Sequence, residues 1–560
     1  MVRRLVALLS KNIDGLHEAA FVLAFFAVLS QLLGLFRDRL LAHLFGAGST
    51  LDVYYAAFRI PDLIFVSIAS TVSLFIVIPL LAARAEEGDA AGRKFMENLV
   101  GVFSVVIIAV SVIAFIATPR ALFFLFPVLA DGPFGADLIA MTRILLLSPI
   151  LLGLSNLLAS ITQLERCFFV YALSPTLYNI GIIAGVLFLF PFFGLPGLAW
   201  GVVIGTLLHL LVQLPALVRS PLSPRLPRPI AWRDFWNVIR ISLPRTLTLA
   251  SGQFAILVLV VLAGRLFEGS VTIFNFAFNL QSAPLAIIGV SYSVAAFPTL
   301  ARFFSRGEHD AFAHHIIIAV RHILFWSFPA LILFIVLRAQ IVRTILGSGA
   351  FSWSDTRLTA AALALFVVSL AAQGLVMLFV RGYYAAGKTL KPLAAGAISV
   401  GITVASALVG LTLFRESTLF RYFLEALLRV EDISGTEVLV LAGAYSLGSI
   451  VNALLLWWMF ERDFQANPLT VSAGTLWQSF SASVITGAAA YVSLGVFDGI
   501  FDITTLVGIF LQGLSAGAVG ILVGIGVLLL LKSEELGGIA TSLRHRFWKA
   551  QPIIPEQQEL

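Results

Sequence analysis

Hydrophobic positions in this 560-residue chain form long runs and do not alternate with polar ones. Most runs are about 20 residues long, the length that an α-helix needs to cross a bilayer, whereas spanning strands would alternate in polarity. The pattern therefore predicts about fourteen membrane-spanning helices. They lie near residues 18–46, 51–82, 96–118, 137–164, 169–191, 195–218, 236–263, 270–303, 314–337, 357–386, 390–414, 437–460, 476–497 and 504–531.

Composition agrees with this pattern. Hydrophobic residues make up 59% of the chain, charged residues only 12%, and the mean hydropathy is +1.00. Soluble domains cannot bury so much apolar surface, so the predicted class is an all-α polytopic membrane protein. No metal-ligand spacing, nucleotide-binding loop or nucleophile arrangement is present in the sequence, so we expect no enzyme, no metal and no cofactor.

The distribution of basic residues indicates the orientation. Lys and Arg are more frequent in the loops that are cytoplasmic when both termini are cytoplasmic, which the positive-inside rule favours. The longest such loop, RSPLSPRLPRPIAWRDFWNVIR, is rich in proline and suits a semi-rigid linker near residue 225. The external segment 415–437 mixes apolar and charged residues, and it is compatible with either a short helix on the membrane surface or a solvated loop.

Two pairs of prolines recur at nearly the same offset. Pro79 in IVIPLLAARAEEGDA and Pro298 in AAFPTLARFFSRGEHDA are 219 residues apart. Pro175 in YALSPTLYNIG and Pro392 in AGKTLKPLAAG are 217 residues apart. These offsets predict a six-helix unit used twice in parallel orientation, an arrangement that encloses a substrate site near the bilayer midplane.

The repeat and the linker together predict the domain organisation. Two lobes of six helices each are followed by two further helices. The predicted segments are a cytoplasmic lead-in at 1–17, an N-terminal lobe at 18–225, a C-terminal lobe at 226–460, the last two helices at 461–531 and a cytoplasmic tail at 532–560.

Charges interrupt the apolar pattern in GLFRDRLLAHLFGAGSTLDVYYAAFRIPDL. Arg37 precedes Gly48 by 11 residues and Arg59 follows it by 11, so both lie about 16 Å along adjacent helices. An arginine that faces lipid at that depth costs at least about 2.5 kcal/mol. Two explanations remain open: an anion-binding cavity, since guanidinium groups grip phosphate, or an internal clamp in which Arg37 pairs with Asp62 or Arg59 with Asp38.

Further polar residues lie in or beside the predicted spans. Arg245 follows Pro244 at the start of span seven, where it either faces the expected cavity or snorkels to the interface. Applying the repeat offset to Arg59 gives a position near Asn279, so the equivalent place in the second lobe is polar but uncharged. The amides in this group either bind substrate hydroxyls or link helices. They are Gln163, Asn179, Gln253, Asn275, Asn279 and Gln281.

The run SQLLGLFRDRLLAHLFGAGSTLDVYYAAFRIPDL resembles the first two helices of the MurJ (MviN) family, whose pattern is roughly SRxLGxxRDxxxAxxFGAGxxxDAFxxAFRIPNL. Further likenesses, among them ALSPTLYNIGIIAGVLFLF and FPTLARF, extend the resemblance from about residue 20 to at least residue 414. MurJ-type proteins belong to the MOP superfamily, have fourteen helices in two lobes and flip lipid II, the undecaprenyl diphosphate-linked peptidoglycan precursor. The resemblance implies the same fold and function for this chain.

The resemblance also implies site residues. Ser30, Arg37 and Asp38 match the first-helix motif, Arg59 matches the basic residue of AFRIP, and polar positions of helices five and seven are matched as well. Arg245 and Asn279 are added to these matched positions, so the expected substrate site comprises Ser30, Arg37, Asp38, Arg59, Asn179, Arg245, Gln253 and Asn279.

Several positions depart from the family pattern. Gln31 replaces an arginine, Phe65 and Val66 replace an Arg-Arg pair, and Asn279 replaces the arginine of helix eight. Each arginine that grips phosphate contributes about 1.5 to 3 kcal/mol. The pocket therefore handles lipid II differently, or carries another lipid-linked oligosaccharide, or belongs to a diverged, non-transporting scaffold. A cation-coupled exporter of the same superfamily would need intramembrane carboxylates, which are scarce here.

The resemblance implies that the chain flips a lipid II-like saccharide from the inner to the outer leaflet of the bacterial cytoplasmic membrane by alternating access. Gly34, Gly46, Gly48 and Pro61 are the candidate hinge and gating residues. The expected partners are the polyprenyl diphosphate-linked glycolipid and the bilayer, with cell-wall synthesis proteins as further candidates. No nucleic acid is expected.

Overall fold

The computed structural model describes residues 16–68, 74–225, 232–465, 468–533 and 535–537, and within them it contains helices and no strand. The first helices in chain order are α1 (Leu16–Phe45), α2 (Ser49–Ala57), α3 (Arg59–Ile68), α4 (Leu74–Glu86), α5 (Asp89–Leu125), α6 (Pro127–Ala130), α7 (Gly135–Leu145), α8 (Leu147–Leu164), α9 (Phe168–Ala184), α10 (Phe190–Phe193), α11 (Leu195–Leu211) and α12 (Leu214–Arg219).

The remaining helices follow residue 231. They are α13 (Trp232–Ala263), α14 (Ser270–Leu285), α15 (Ser291–Ser305), α16 (His309–Val336), α17 (Arg338–Leu346), α18 (Trp353–Val367), α19 (Leu370–Ala385), α20 (Leu390–Glu416), α21 (Thr418–Leu428), α22 (Val438–Phe464), α23 (Pro468–Asp498) and α24 (Leu506–Leu530). Two π-helical turns, Gly185–Leu189 and Ala286–Val290, join α9 to α10 and α14 to α15.

Twelve helical stretches in the described part of the chain are long and apolar enough to cross a membrane. The pair α18 and α19, bent by 44° at a short break, adds a thirteenth if it crosses as one span. The predicted all-α polytopic class is thus confirmed. The predicted span 51–82 is divided into α2, α3 and α4, with residues 69–73 outside the described residues. Pro61 explains the first break, because it cannot donate to the carbonyl of Ala57, the last residue of α2.

The chain divides into two compact units, which are described separately below. The first consists of Met1–Ala283, Val342–Phe366 and Lys388–Asn452, and the second of Pro284–Ile341, Val367–Gly387 and Ala453–Leu560. The division into six-helix lobes stays a prediction. Residues 1–15 of the predicted lead-in, 226–231 of the linker and 538–560 of the tail lie outside the described residues.

In the first unit, α9 and α11 pack backbone to backbone through glycines. A Cβ atom at Gly181 would lie 2.3 Å from the Cα atom of Gly205, and one at Gly185 would lie 2.4 Å from the Cα atom of Gly201. Both pairs belong to runs of glycine spaced by four residues, which give membrane helices a flat face for close approach. This packing fixes α9, which carries Asn179 and Tyr178.

The turn between α1 and α2 is closely packed. Gly46 has a positive φ of 64°, and a Cβ atom there would lie 2.7 Å from the carbonyl oxygen of Ala350. Gly349, with φ of 57°, packs equally closely on the carbonyl of His43. The sequence GAGS therefore forms a helix-connecting turn, in which only glycine fits at residue 46.

Two carboxylates cap the N-termini of α2 and α14 reciprocally. Asp52 on α2 accepts hydrogen bonds from the backbone nitrogens of Gly269 (2.7 Å) and Thr272 (2.8 Å) and from the Thr272 hydroxyl (2.6 Å). Glu268, just before α14, accepts from the backbone nitrogen of Ser49 (2.9 Å) and from its hydroxyl (2.5 Å). These contacts satisfy backbone donors that a helix start leaves unpaired, and they join the two helix starts.

In the second unit, α16, α23 and α24 approach one another through small residues. A Cβ atom at Gly487 of α23 would lie 2.3 Å from the Cγ2 atom of Ile332 on α16. One at Gly524 of α24 would lie 2.0 Å from the hydroxyl oxygen of Thr486 on α23. The last two predicted spans thus pack on each other, and the first of them, α23, also packs on α16.

A buried carboxylate ties the segment after α24 to the same unit. Glu535 accepts hydrogen bonds from Arg321 of α16 (Nη2, 2.6 Å), from Thr475 of α23 (2.7 Å) and from Ser533 (3.0 Å). Burial alone would raise the pKa of the Glu535 carboxyl, and the hydrogen bonds from Thr475 and Arg321 bring that pKa below its ordinary value. The carboxylate is therefore ionised where it holds the chain to two helices.

The external segment 415–437 contains the helix α21. Its exposed positions Leu419, Tyr422, Phe423 and Leu427 follow helical spacing, while Glu425 is only 1% exposed. The helical alternative is thus correct for residues 418–428, and α21 is amphipathic. Its placement on the membrane surface stays a prediction.

Candidate functional site

The first unit encloses a cavity of about 290 Å³. It is lined by Arg37, Leu41, Tyr54, Tyr55, Phe58, Arg59, Asp62, Tyr178, Ile182, Gln253, Ile256, Asn275, Phe278 and Asn279. These residues come from α1, α2, α3, α9, α13 and α14, together with Phe58 between α2 and α3. Both predicted arginines therefore line one cavity.

Arg37 is held in the cavity wall by two neighbours. Its Nε and Nη2 atoms donate to Oδ1 of Asp38 at 2.9 and 2.8 Å, and its Nη1 atom donates to Oδ1 of Asn179 at 3.2 Å. Asp38 is only 4% exposed and its other oxygen accepts from Nδ2 of Asn279 at 3.2 Å. A paired and hydrogen-bonded carboxylate of this kind can remain charged inside a protein.

A polar network continues behind Arg37. Nδ2 of Asn179 donates to the hydroxyl and the carbonyl of Ser30, at 3.2 and 3.3 Å. The amide of Asn179 thus presents its oxygen to the guanidinium and its nitrogen to α1. This arrangement holds the Arg37 side chain in one orientation.

Arg59 is held less completely than Arg37. Its Nη2 atom donates to Oδ1 of Asn275, whose Nδ2 atom donates to the carbonyl of Val271 at 2.7 Å. The Nε atom of Arg59 is buried and has no acceptor among the described residues. Arg59 therefore lines the cavity and keeps a donor that no described residue uses.

The predicted internal clamp, in which Arg37 pairs with Asp62 or Arg59 pairs with Asp38, is wrong. Arg37 binds Asp38, its chain neighbour, and Arg59 binds an amide. Asp62 lines the cavity and makes no ion pair or side-chain hydrogen bond with any described residue. The reason is local: Nε and Nη2 of Arg37 both donate to Oδ1 of the adjacent Asp38, and Asn279 donates to Oδ2, so Asp38 needs no basic partner on another helix.

The other predicted site residues fall into two groups. Gln253 and Asn279 line the cavity directly, whereas Ser30 and Asn179 lie behind Arg37 and hold it in place. Arg245 is half-buried on α13, two turns before Gln253, and is not among the lining residues.

The candidate hinge residues lie close to this network. Besides Gly46 in its packed turn, Gly34 faces the Asn179 side-chain oxygen at an ordinary contact distance of 3.9 Å for an added Cβ atom. Gly48 faces Glu268 at 3.3 Å, and Pro61 is buried in the first turn of α3. Their role in bending stays a prediction.

Sequence reasoning missed the aromatic part of the wall. Tyr54 forms edge-to-face contacts with Tyr55 and Phe58, with ring centroids 5.2 and 5.0 Å apart, and Tyr178 and Phe278 complete the set. The signal was available, because YYAAF places Tyr54 and Phe58 four residues apart, on one face of a helix. Aromatic rings with a hydroxyl suit a ligand that is partly apolar and partly polar, such as a sugar.

His209 and metal-ligating residues are candidate chemical groups outside the cavity. Nδ1 of His209 lies 2.7 Å from the hydroxyl of Ser155, in a hydrogen bond between α11 and α8. The part of the chain that the structure describes contains no group of three His, Cys, Asp or Glu that could hold a metal ion.

Relatives with similar sequences share one description. A family model described as "Lipid II flippase MurJ" matches residues 41–514. The lipid II flippase MurJ of Burkholderia cenocepacia is 25% identical over 402 residues, covering 70% of this chain and 77% of that protein. The probable lipid II flippase MurJ of Haemophilus influenzae is 30% identical over 392 residues, covering 67% of this chain and 76% of that protein. The probable lipid II flippase MurJ of Bdellovibrio bacteriovorus is 26% identical over 505 residues, covering 88% of this chain and 91% of that protein.

Two solved structures have folds similar to that of this chain. A lipid II flippase MurJ in an inward closed conformation has a TM-score of 0.71 and 21% identity, covering 93% of this chain and all (100%) of that chain. An inward-facing multidrug resistance MATE transporter of the MOP superfamily has a TM-score of 0.64 and 15% identity, covering 78% of this chain and 94% of that one.

The fold and the cavity together define a polytopic helical membrane protein that shares the fold of these two structures. The extent of the family match, from residue 41 to residue 514, decides the family within that class. The chain belongs to the lipid II flippase MurJ family.

Proposed function

We propose that the protein flips an undecaprenyl diphosphate-linked saccharide of the lipid II type from the inner to the outer leaflet of the bacterial cytoplasmic membrane. The observation that carries the proposal is that Arg37 and Arg59 line one cavity, in a chain of this family. Guanidinium groups bind phosphate oxygens through paired, charge-assisted hydrogen bonds. A diphosphate offers acceptors to both arginines at once.

The two arginines contribute differently to this binding. Arg37 is oriented by Asp38 and Asn179 before a ligand arrives, so little side-chain entropy is lost on binding. Arg59 has a buried Nε donor with no acceptor among the described residues. A phosphate oxygen at that donor would remove the cost of an unsatisfied polar group.

The cavity departs from the family pattern in charge, and its wall offers other contacts instead. Asn279, which replaces an arginine, lines the cavity and donates to Asp38, so it supports Arg37 indirectly. Tyr54 and Tyr178 add ring faces and hydroxyls beside the arginines. We propose that these groups bind the saccharide while the arginines bind the diphosphate.

Transport follows from alternating access to this cavity. The headgroup binds when the cavity is open to the cytoplasm, the polyprenyl tail stays in lipid, and a rearrangement of the helices opens the cavity to the other side. The proposal includes cytoplasmic N and C termini, as the distribution of basic residues predicts, and cell-wall synthesis proteins as the partners that use the cargo.

Native mass spectrometry of the purified full-length protein tests the proposal. The ligands are lipid II, another undecaprenyl diphosphate-linked oligosaccharide, bare undecaprenyl diphosphate and an anionic phospholipid. The variants are Arg37→Ala with Arg59→Ala and, as a matched control, Arg84→Ala, which removes an exposed arginine outside the cavity.

We expect saturable binding of lipid II that the double variant weakens by about two orders of magnitude or more, at about 1.5 to 3 kcal/mol for each arginine. The control variant should bind as the wild type does. Preference for the other oligosaccharide would replace lipid II as the cargo. Binding no stronger than that of the phospholipid, or binding indifferent to both arginines, would overturn the proposal.

A further inference from the structure

The charged groups around the cavity cancel when all of them are ionised. Arg37 and Arg59 provide two positive charges, Asp62 lines the cavity with one negative charge, and Asp38 lies directly behind Arg37 with another. The other lining residues are tyrosines, amides and apolar side chains. A site of zero formal charge attracts a diphosphate weakly, because a nearby carboxylate repels it in a low-dielectric surrounding.

The two carboxylates differ in how they are held. Asp38 accepts hydrogen bonds from Nε and Nη2 of Arg37 and from Asn279, and it is almost fully buried. Asp62 faces the cavity and has no hydrogen-bond or ion-pair partner among the described residues. Asp62 is therefore the carboxylate that can change its protonation without breaking contacts of the fold.

Asp62 also lies where it competes with a ligand. It follows Arg59 by three residues on α3, so the two side chains share one face of the helix. The Nε donor of Arg59 has no acceptor among the described residues. A charged Asp62 would repel a phosphate from this guanidinium, whereas a neutral one would not.

We propose that Asp62 binds a proton when the cavity binds a phosphate-bearing headgroup. The proton comes from water on the side to which the cavity is open, adds to a carboxylate oxygen and returns to water when the headgroup leaves. Uptake of the proton raises the formal charge of the site by one and removes the repulsion between Asp62 and a phosphate bound to Arg59. This inference rests on the proposed function, and it supplies a positive charge to a pocket that has few arginines.

A proton fits this site better than a metal ion does. A single carboxylate suffices for a proton, whereas a metal cation such as Ca²⁺ takes about six to eight oxygen ligands. The described residues contain no group of three His, Cys, Asp or Glu that could hold a metal.

Few titratable groups face Asp62. They are Arg59 on the same helix, Arg37 and Asp38 on α1, Tyr54 and Tyr55 on α2, and Tyr178 on α9. The helices α13 and α14 contribute only amide and apolar side chains to the lining, and α5, α7 and α8, which also pack against α3, contribute none. The two guanidinium groups favour the ionised carboxyl, so an arriving phosphate that engages them shifts Asp62 towards its neutral form.

The first test is the pH dependence of affinity for undecaprenyl diphosphate. The dissociation constant is measured with the purified full-length protein from about pH 5 to about pH 8, for the wild type, Asp62→Asn and Asp502→Asn. Asp502 lies in the exposed loop before α24 and serves as the matched control. The ratio of the wild-type constant to that of Asp62→Asn cancels the titration of the diphosphate itself.

We expect this ratio to be near one at the acid end and to rise by about tenfold per pH unit on the alkaline side, the slope for one linked proton. Asp502→Asn should follow the wild type at every pH. A ratio that stays constant across the range would overturn the inference while leaving the proposed function intact.

Infrared difference spectroscopy separates the two failures, because it needs no ligand. Acidification should produce the stretching band of a protonated carboxyl in the wild type and in Asp502→Asn that Asp62→Asn lacks. If the wild type and Asp62→Asn both fail to bind the diphosphate at every pH, the proposed function fails. The infrared band alone then decides whether Asp62 is a proton site. A spectrum that is the same in all three proteins would overturn it.

Discussion

At the scale of single residues, the cavity depends on amides that position arginines. Asn179 accepts from Arg37 and donates to Ser30, so it joins the guanidinium to a residue two turns earlier on the same face of α1. Asn275 has the corresponding role for Arg59. Neither amide carries charge, yet each decides where a charge lies.

The substitution Asn179→Ala should weaken headgroup binding without unfolding the protein. It removes one acceptor from Arg37, which we expect to cost about 1 to 3 kcal/mol in binding, or about fivefold to about 150-fold in affinity. Native mass spectrometry with lipid II measures the loss, and a thermal melt checks the fold. Asn156→Ala on α8, outside the cavity lining, is the control. Equal affinity in both variants would show that Arg37 needs no support from Asn179.

Part of the residue-level site could be predicted from the sequence. Arg37 and Arg59 stand out because charges in apolar runs are costly. The partner of Arg37 could not be predicted, because Asp62 and Asp38 are equally plausible until the rotamers are known. The tyrosines were missed although YYAAF places Tyr54 and Phe58 on one face of a helix, because aromatic residues are common in membrane spans and this spacing alone does not distinguish a cavity wall.

At the scale of elements, the glycine faces of α9 and α11 position the wall that carries Asn179. Gly185→Val should destabilise the protein strongly, since even its Cβ atom would lie 2.4 Å from the Cα atom of Gly201. We expect a loss of about 1 to 3 kcal/mol or more from overpacking, seen as a lower melting temperature in detergent. Gly401→Ala on α20, where an added Cβ atom meets nothing within 4 Å, is the control and should not lower it.

The reciprocal caps predict a dependence on pH. Hydrogen bonds from the hydroxyl and the backbone nitrogen of Ser49 lower the pKa of the Glu268 carboxyl below its ordinary value. The ionised form is thus stabilised in the folded state, so its contribution is present above the unfolded pKa of about 4.3 and is lost as the pH falls through the lowered pKa.

Thermal unfolding of wild type and Glu268→Gln at several pH values checks this. The wild type should melt at a higher temperature near neutral pH, and the two curves should converge in acid. A difference that persists unchanged below about pH 3 would show that the charge of Glu268 is not what stabilises the cap.

Element boundaries show where hydropathy ceases to be informative. The long spans could be predicted because about 20 apolar residues suffice to define them. The division of the second span could not, because the break before Arg59 depends on the missing donor of Pro61 and on packing that no hydropathy window records. The amphipathic α21 left a visible pattern, but a solvated loop of the same composition would have left a similar one.

At the scale of the whole molecule, the orientation is open to direct measurement. Cys167 is the only cysteine in the chain, so Cys167→Ser provides a background for single labels. In that background, Asp502→Cys should react with an impermeant maleimide applied from outside the cytoplasmic membrane, and Glu87→Cys should react only after the membrane is permeabilised. The opposite pattern would place the termini outside, contrary to the positive-inside rule.

The family and the general fold could be recognised from the sequence because the first two helices carry a specific motif. The extent to which the cavity retains the chemistry of the family could not be predicted, because four positions that the pattern gives as arginine are occupied by uncharged residues. Only the structure shows which residues line the wall instead. That wall pairs two arginines with amides and tyrosines. We propose that this arrangement moves a diphosphate-linked saccharide across the bilayer.

The most direct test of that claim is translocation of lipid II in proteoliposomes, followed by the accessibility of its headgroup to an enzyme added outside. Wild type and Arg84→Ala should expose lipid II at the same rate, whereas Arg37→Ala with Arg59→Ala should slow it by about two orders of magnitude or more, in line with the two lost phosphate contacts. Equal rates in all three proteins, or no translocation by the wild type above empty liposomes, would contradict the proposed function.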